Sequence, residues 1–280
     1  MRKIYVKRIR TAVAGLAAEA NFVLRRDILA ALKKACAREK NAKSKKVLRI
    51  LVDNAAIARK DRIAICQDTG IAEVFIDIGQ QVALIGGNLS KAVNDGIRDA
   101  YRRCYLRKSV VSDPFLRKNT GDNTPAVIHE KIVPGNKVRI TVMPKGFGSE
   151  NKTRTRMFVP TASQKDIAEF IVKAVKDAGA DACPPYVVGV GIGGTLDKAC
   201  LLAKEALMRP IDRRNTKKHL GALETQLLGR INALKIGPMG FGGKATCLGV
   251  NIEAYPTHIA GLPVCVSISC HATRSATAVI

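Results

Sequence analysis

A chain of 280 residues, 47% of them hydrophobic, can bury a large core, as one big domain or as two smaller ones. Its 47 Lys and Arg against 23 Asp and Glu give a formal net charge of +24, a field that draws anions: nucleic acid, an acidic partner or a small carboxylate. Aromatic residues at 4%, the lack of Trp and the lack of zinc-finger spacing or an RNA-binding aromatic signature disfavour nucleic acid, and apolar runs of strand length, such as Tyr186-Val187-Val188-Gly189-Val190 and Leu262-Pro263-Val264-Cys265-Val266, are far short of a membrane span.

Met1 to Arg8 is basic, but Ala12 to Ala20 is interrupted by Glu19 and runs into Arg25-Arg26-Asp27, the pattern of a first helix rather than a signal peptide. With eight cysteines at irregular spacing, free or metal-bound thiols in a reducing compartment are expected, hence a cytoplasmic protein. The first sixty residues read as helical. Asp27 is placed to cap a helix carrying Ile28, Leu29, Leu32 and Cys36 on one face, and Val47, Ile50, Leu51, Asn54 and Ala58 repeat the spacing. The basic runs Arg38 to Lys46 and Arg209 to Lys218 read as solvated linkers and faces.

Val74, Ile76 and Ile78 then alternate in a strand ended by Gly79, and Ser90 opens a helix through Val93, Ile97, Ala100 and Tyr101. Ala126 to Val133 and Lys137 to Met143 read as strands joined by a hairpin-like turn at Pro134-Gly135-Asn136. Ser163 with Asp166 has capping-box character, before a helix that Gly179 closes. A strand from Tyr186 to Val190, a glycine turn from Gly191 to Gly194, a helix from Leu196 to Met208, another from Leu220 to Leu234, and strands at Thr246 to Ile252 and Val264 to Ser269 complete the chain. Hairpins mixed with strand-turn-helix units predict an α/β fold: a mixed sheet flanked by helices, with a helical N-terminal segment, in a single domain over residues 1–280.

Two glycine motifs have rival readings. Gly189-Val190-Gly191-Ile192-Gly193-Gly194 fits the dinucleotide fingerprint as a pattern, but stands late in the chain behind Pro184-Pro185; glycines for a tight turn, with N–H groups aimed at an anion, are the simpler reading. Gly237 to Thr246 misses a P-loop, with Pro238 where Gly is required and Ala245 in place of the hydroxyl that would hold magnesium; it reads as a carboxylate-binding or interface loop. Among four histidines, His129 on an alternating strand and His219 in a basic run default to structure or solvent, while His258 and His271 are site candidates.

Cys66-Gln67-Asp68-Thr69-Gly70 packs a thiol, an amide, a carboxylate and a hydroxyl into four successive positions. Cys183, in Asp181-Ala182-Cys183-Pro184-Pro185, and Cys270, in Ser269-Cys270-His271-Ala272, have comparable settings. Without C-x-x-C pairs a zinc ribbon is disfavoured; three thiolates on three irons of a cubane, or three isolated structural thiols, both remain open on the residues alone.

These residues carry a resemblance. Cys66 to Gly70, Arg107 to Pro114, Asn119 to His129, Lys145-Gly146-Phe147-Gly148-Ser149-Glu150-Asn151-Lys152, Cys183-Pro184-Pro185 with Gly189 to Lys198, Gly237 to Lys244, Pro256 to Ala260 and Cys270-His271-Ala272 occur in the order of the α chain of the iron-sulfur hydro-lyases, the class I fumarase and L-tartrate dehydratase family. The resemblance implies a [4Fe–4S] cluster on Cys66, Cys183 and Cys270 with one open iron, carried by residues 61–280 behind a helical lead-in at 1–60. It implies that Gln67, Arg107 and Gly148 bind substrate and that Asp68 and His258 act in catalysis on a dicarboxylate, either the hydration of fumarate to L-malate or the dehydration of tartrate or a related hydroxy diacid. Phe147 departs from the family's glycine loop, where a small residue is expected. The base that takes the C–H proton lies, in the family, in a C-terminal part beyond this chain's Ile280, which implies a separate β chain, an α2β2 heterotetramer, and an α chain inactive alone.

Overall fold

The structure, a computed structural model, describes every residue from Met1 to Ile280. In chain order the elements are β1 (Arg2–Tyr5), α1 (Val6–Phe22), α2 (Arg26–Arg38), α3 (Ala42–Asp61), β2 (Ile71–Gly79), β3 (Val82–Ile85), α4 (Leu89–Arg103), β4 (Val127–Val133), β5 (Val138–Lys145), α5 (Phe147–Glu150), β6 (Arg154–Phe158), α6 (Gln164–Ala178), β7 (Tyr186–Ile192), α7 (Leu196–Met208), α8 (Lys218–Asn232), β8 (Cys247–Ala254), β9 (Leu262–Ser269) and β10 (Ala276–Val279). Helices and mixed sheets make the α/β fold that the pattern predicts. They fall into two compact units: residues 1–25, 55–147 and 274–280 form the first, residues 26–54 and 148–273 the second, with the division inside α3.

The first unit holds a four-stranded sheet in the order β10-β5-β2-β4, with β2 parallel to β4 and antiparallel to β5. Its core joins Val74 and Ile76 of β2 and Ile140 and Val142 of β5 to the apolar stripes of α1 (Ile9, Val13, Leu16) and α4 (Val93, Ile97, Tyr101). The two helices cross closely at Gly96, where a Cβ would meet the Arg10 carbonyl oxygen at 2.6 Å. A short parallel pair, β1 with β3, adds a strand in the stretch expected to be helical throughout.

The second unit holds a sheet in the order β6-β9-β7-β8. Strand β7 is apolar along its length because both faces are covered. Tyr186, Val188 and Val190 share a core with Ile171 and Val175 of α6 and Leu223 and Leu227 of α8. On the opposite face α7 packs against backbone: a Cβ on Gly189 would lie 2.2 Å from the Ala203 carbonyl oxygen, and one on Gly191 1.9 Å from that of Ala199.

Three local expectations are corrected. The strands on either side of Pro134-Gly135-Asn136 do not form a hairpin, because β2 lies between them. The connecting loop instead wraps the end of β2, with Gly79, Gln80 and Gln81 donating to the carbonyls of Lys137, Val133 and Gly135. Helix α4 is opened by Asn88, whose side chain accepts from the Lys91 amide at 2.8 Å, and Ser90 lies inside it. Asp27 likewise sits inside the first turn of α2, and its carboxylate accepts from the Ile211 amide at 3.0 Å. The capping box of Ser163 and Asp166 and the closure at Gly179 are present as expected. No helix is long and apolar enough to cross a membrane.

Candidate functional site

In the first unit the pentapeptide spans the bend between α3 and β2, and segments distant in sequence tie it down. Gly70 has φ +72° and lies so close to β5 that a Cβ would meet the Lys145 carbonyl oxygen at 2.5 Å, so only glycine fits. The Asp68 carboxylate accepts from two amides, Gly70 N on Oδ1 at 3.0 Å and Phe147 N on Oδ2 at 2.9 Å. Two converging N–H groups fix the plane of that carboxylate. The Thr69 hydroxyl donates to the Arg107 carbonyl at 2.8 Å, and the buried Tyr101 hydroxyl donates to the Thr69 carbonyl at 2.7 Å. Asn123 accepts from Ser109 N at 2.7 Å and donates to the Gly70 carbonyl at 3.1 Å, which links the loop beyond Arg107 to the pentapeptide. Gln67 and the Arg107 side chain are exposed, while Cys66 and Asp68 are partly buried.

Arg274 was not singled out by the sequence. It is buried, its Nη2 donates to the Asp68 carbonyl and its Nε to the Pro144 carbonyl at 3.3 Å, so it clasps the pentapeptide to the end of β5. A lone Arg four residues after Cys270, in a run of small polar residues, carries no periodic signal that would mark it. Lys145, fully enclosed at the end of β5, was likewise seen only as part of a glycine-loop motif.

In the second unit antiparallel pairing of β7 with β9 sets Val187 beside Ser269, so Cys183, before β7, and Cys270, after β9, lie at the same end of the sheet. Cys183 has φ +56°, and its carbonyl accepts from His271 N and His271 Nδ1, each at 3.2 Å. A carbonyl only accepts, so Nδ1 carries a proton. Burial pushes the Tyr186 phenol up, and the adjacent thiols of Cys183 and Cys270 add to the effect. The Thr273 hydroxyl closes the turn after Cys270 by donating to its carbonyl at 2.7 Å. Cys66 thus belongs to one unit and Cys183 and Cys270 to the other; all three are free thiols, partly exposed, in loops beside regular elements.

The remaining thiols have structural surroundings. Cys247 and Cys265 are buried in the second unit, and burial pushes the Cys247 thiol up to about 12. Burial also raises the Cys104 thiol, and the Cys36 thiol faces the Lys45 carbonyl at 3.8 Å. Nowhere are three or more His, Cys, Asp or Glu side chains gathered about one point, as a single metal ion requires. An iron-sulfur cluster takes its thiolates one per iron, and free loop cysteines have the chemistry for it.

His258 is exposed in the loop from Tyr255 to Gly261, and its Nδ1 accepts from the Ala260 amide at 3.1 Å, which leaves Nε2 to carry the proton. Gly148 is exposed, and a Cβ there would meet nothing nearer than the Asp181 carbonyl oxygen at 4.0 Å. His129 stacks on Phe75 at 4.6 Å beside Glu73, the structural role expected of it.

Both glycine motifs turn their amides inward. In the turn after β7, Gly193 N donates to the Pro263 carbonyl at 2.9 Å and Gly194 N to the Pro256 carbonyl at 3.1 Å, so these two N–H groups are not aimed at an anion as expected. In the Gly237 to Lys244 loop the carboxylate is the chain's own: Glu39 accepts from Lys244 N at 2.7 Å, Asn41 N at 3.0 Å and Lys40 N at 2.9 Å. Burial alone would raise the Glu39 carboxyl, but these three amides hold it below the usual carboxylate range. The same loop meets the Cys183 segment through Met239 N, which donates to the Pro184 carbonyl at 2.8 Å.

Comparison with known proteins agrees with the motifs. The profile of the family described as fumarate hydratase (fumerase) matches residues 10–279. A Methanocaldococcus jannaschii protein provisionally named L(+)-tartrate dehydratase subunit alpha is 38% identical over 275 residues, 96% of each chain. The L(+)-tartrate dehydratase subunit alpha of Escherichia coli K12 is 28% identical over 278 residues, 98% of this chain and 91% of its own.

Proposed function

The chain belongs to the fumarate hydratase (fumerase) family, and we propose that it is the α subunit of an iron-sulfur hydro-lyase that adds water to, or removes it from, a four-carbon dicarboxylate. The observation that carries the reading is the Asp68 carboxylate, held by the Gly70 and Phe147 amides in a loop that also pins the backbone of Arg107. An oriented carboxylate beside a partly exposed thiol, with an exposed guanidinium anchored to the same loop, supplies a proton-handling group and an anion-binding group together.

Cys66, Cys183 and Cys270 would hold the [4Fe–4S] cluster, which when bound supplies a Lewis-acidic iron for the hydroxyl oxygen. Arg107, with Gln67 and the Gly148 amide, would hold the carboxylates of the substrate, and a planar guanidinium suits bidentate capture. Asp68 would donate or orient a proton at the carbon-oxygen bond, and His258, with Nε2 protonated, would serve as a second proton donor. The group that removes the C–H proton would come from a β chain, within an α2β2 assembly. Hydration of fumarate to L-malate is the reading that the family's description favours. Dehydration of L(+)-tartrate is the one that the relatives' names favour.

The test is anaerobic reconstitution with iron and sulfide of the chain co-expressed with its β-type chain, assayed on fumarate, L-malate and L(+)-tartrate. Turnover of one of these by the pair and not by the α chain alone is expected. Cys66→Ser, Cys183→Ser and Cys270→Ser should each lose iron and the broad visible absorption, while Cys36→Ser keeps both. No turnover of any diacid by the iron-loaded pair, or unchanged iron in all three Ser variants, would overturn the reading.

A further inference from the structure

Residues 105–118 of the first unit expose three large apolar side chains almost completely: Tyr105 at 94%, Phe115 at 92% and Leu116 at 85%. Exposed apolar residues scattered singly are ordinary, but two adjacent ones at the tip of an ordered loop are not. The loop has a defined shape. Val111 bridges Asn119 in antiparallel fashion, Ser112 N donates to the Lys118 carbonyl at 2.8 Å and Thr120 N to the Val110 carbonyl at 2.9 Å. At the tip, Asp113 Oδ1 accepts from Phe115 N at 2.8 Å and Leu116 N at 2.7 Å, and Arg117 N donates to the Asp113 carbonyl at 2.9 Å. Phe115 and Leu116 are therefore presented on a preformed turn, which lowers the ordering cost of inserting them into a pocket.

The base of this hairpin leads into the candidate site. Asn119 donates to the Lys108 carbonyl at 2.9 Å, and the Arg107 carbonyl is held by Thr69. Arg107, Lys108, Arg117 and Lys118, all exposed, flank the apolar tip with positive charge. In a chain of net charge +24 a second copy would bring like charges against them, so the fitting partner has an apolar pocket with an acidic rim.

We infer that the Val110–Thr120 hairpin is the docking element for the β-type chain, with Phe115 and Leu116 as its anchor and the basic flanks as its rim. The inference rests on the reading of this chain as an α subunit. It ties docking to chemistry, because the partner would grip a segment whose root carries Arg107.

The test compares wild-type chain with Phe115→Ser/Leu116→Ser in binding to the co-expressed β-type chain by affinity co-purification and titration. Val159→Ser, which removes an exposed apolar side chain in the second unit, serves as the control. The double variant should keep its circular dichroism and thermal midpoint yet bind at least about tenfold more weakly, with Val159→Ser unchanged. Wild-type binding with equal binding by the double variant would overturn the inference and leave the α-subunit reading standing. A wild-type chain that does not bind its β-type chain would overturn both. Self-association of the isolated chain, or binding to phosphatidylserine vesicles, that the double substitution abolishes while β-chain binding persists would assign the tip to a second copy or to a lipid surface instead.

Discussion

The Thr69 hydroxyl and the Arg107 carbonyl oxygen lie 2.8 Å apart, so the loop that carries Cys66 and Asp68 also sets the backbone from which the Arg107 side chain extends. Thr69 is 1% exposed, and its hydroxyl is not free to seek water instead. Thr69→Val keeps the shape and deletes that bond. Stability should fall by about 1 kcal/mol, with the Arg107 carbonyl left without this donor. Thermal unfolding checks the loss, and KM for the diacid should rise more than kcat falls.

Arg107→Lys keeps the charge and removes the fork. With the backbone still held by Thr69, the fold should be unaffected. Loss of one charge-assisted bond, about 1.5–3 kcal/mol, predicts a fall in kcat/KM of roughly 10- to 100-fold. Steady-state kinetics of the iron-loaded pair measure it, and iron content should not change.

Two glycines give opposite outcomes for the same substitution. A Cβ on Gly191 would stand 1.9 Å from the Ala199 carbonyl oxygen, backbone that cannot yield without shifting α7 from β7. Gly191→Ala should therefore cost several kcal/mol, on the order of 4 or more, or abolish soluble expression. Gly15 lies exposed within α1 with nothing within 4 Å of its Cβ position, so Gly15→Ala should stabilise by about 0.5–1 kcal/mol. Paired chemical denaturation curves decide both.

The Tyr101 phenol links pH to stability. Burial is the chief cause that lifts it from 10.0 to about 12, so the folded state holds the proton more tightly than the unfolded chain. The corresponding stability is complete below pH 10 and is lost as pH rises towards 12, on the order of 2 kcal/mol. Tyr101→Phe lacks the proton altogether. It should be less stable than wild type at neutral pH, through the lost bond to the Thr69 carbonyl, and the gap should narrow above pH 10. Unfolding curves at several alkaline pH values for the two proteins test this.

Much of the fold was legible where a local signal decides it. The capping box at Ser163 and the helix from Leu196 to Met208 are written in neighbouring residues, and the structure reproduces them. Pro134-Gly135-Asn136 correctly marks a reversal, but which strand fills the space beside it depends on β2, some sixty residues earlier, and no local pattern encodes that. Asn88 outcompeted Ser90 because its side chain reaches the Lys91 amide, a choice of two residues that propensity does not separate. At the candidate site the proposed residues were visible in the motifs, whereas the groups that hold their loop in place were not. Arg274 and Asn123 act through backbone carbonyls and amides far away in sequence, and such bonds leave no spacing rule to read.

The order in which the ribosome makes the chain has its own consequence. The first unit takes residues 1–25, 55–147 and 274–280, and the second is interposed before the last piece. Until that piece emerges, β5 has no β10 on its outer edge, and Asp68 lacks the guanidinium that holds its carbonyl. Folding one unit to completion before the next is synthesised, the usual protection of a long nascent chain, is therefore closed to the first unit. Its open strand edge stays exposed for the whole time needed to translate the second, and a chain truncated by as few as seven residues should misassemble around the very loop that carries Cys66.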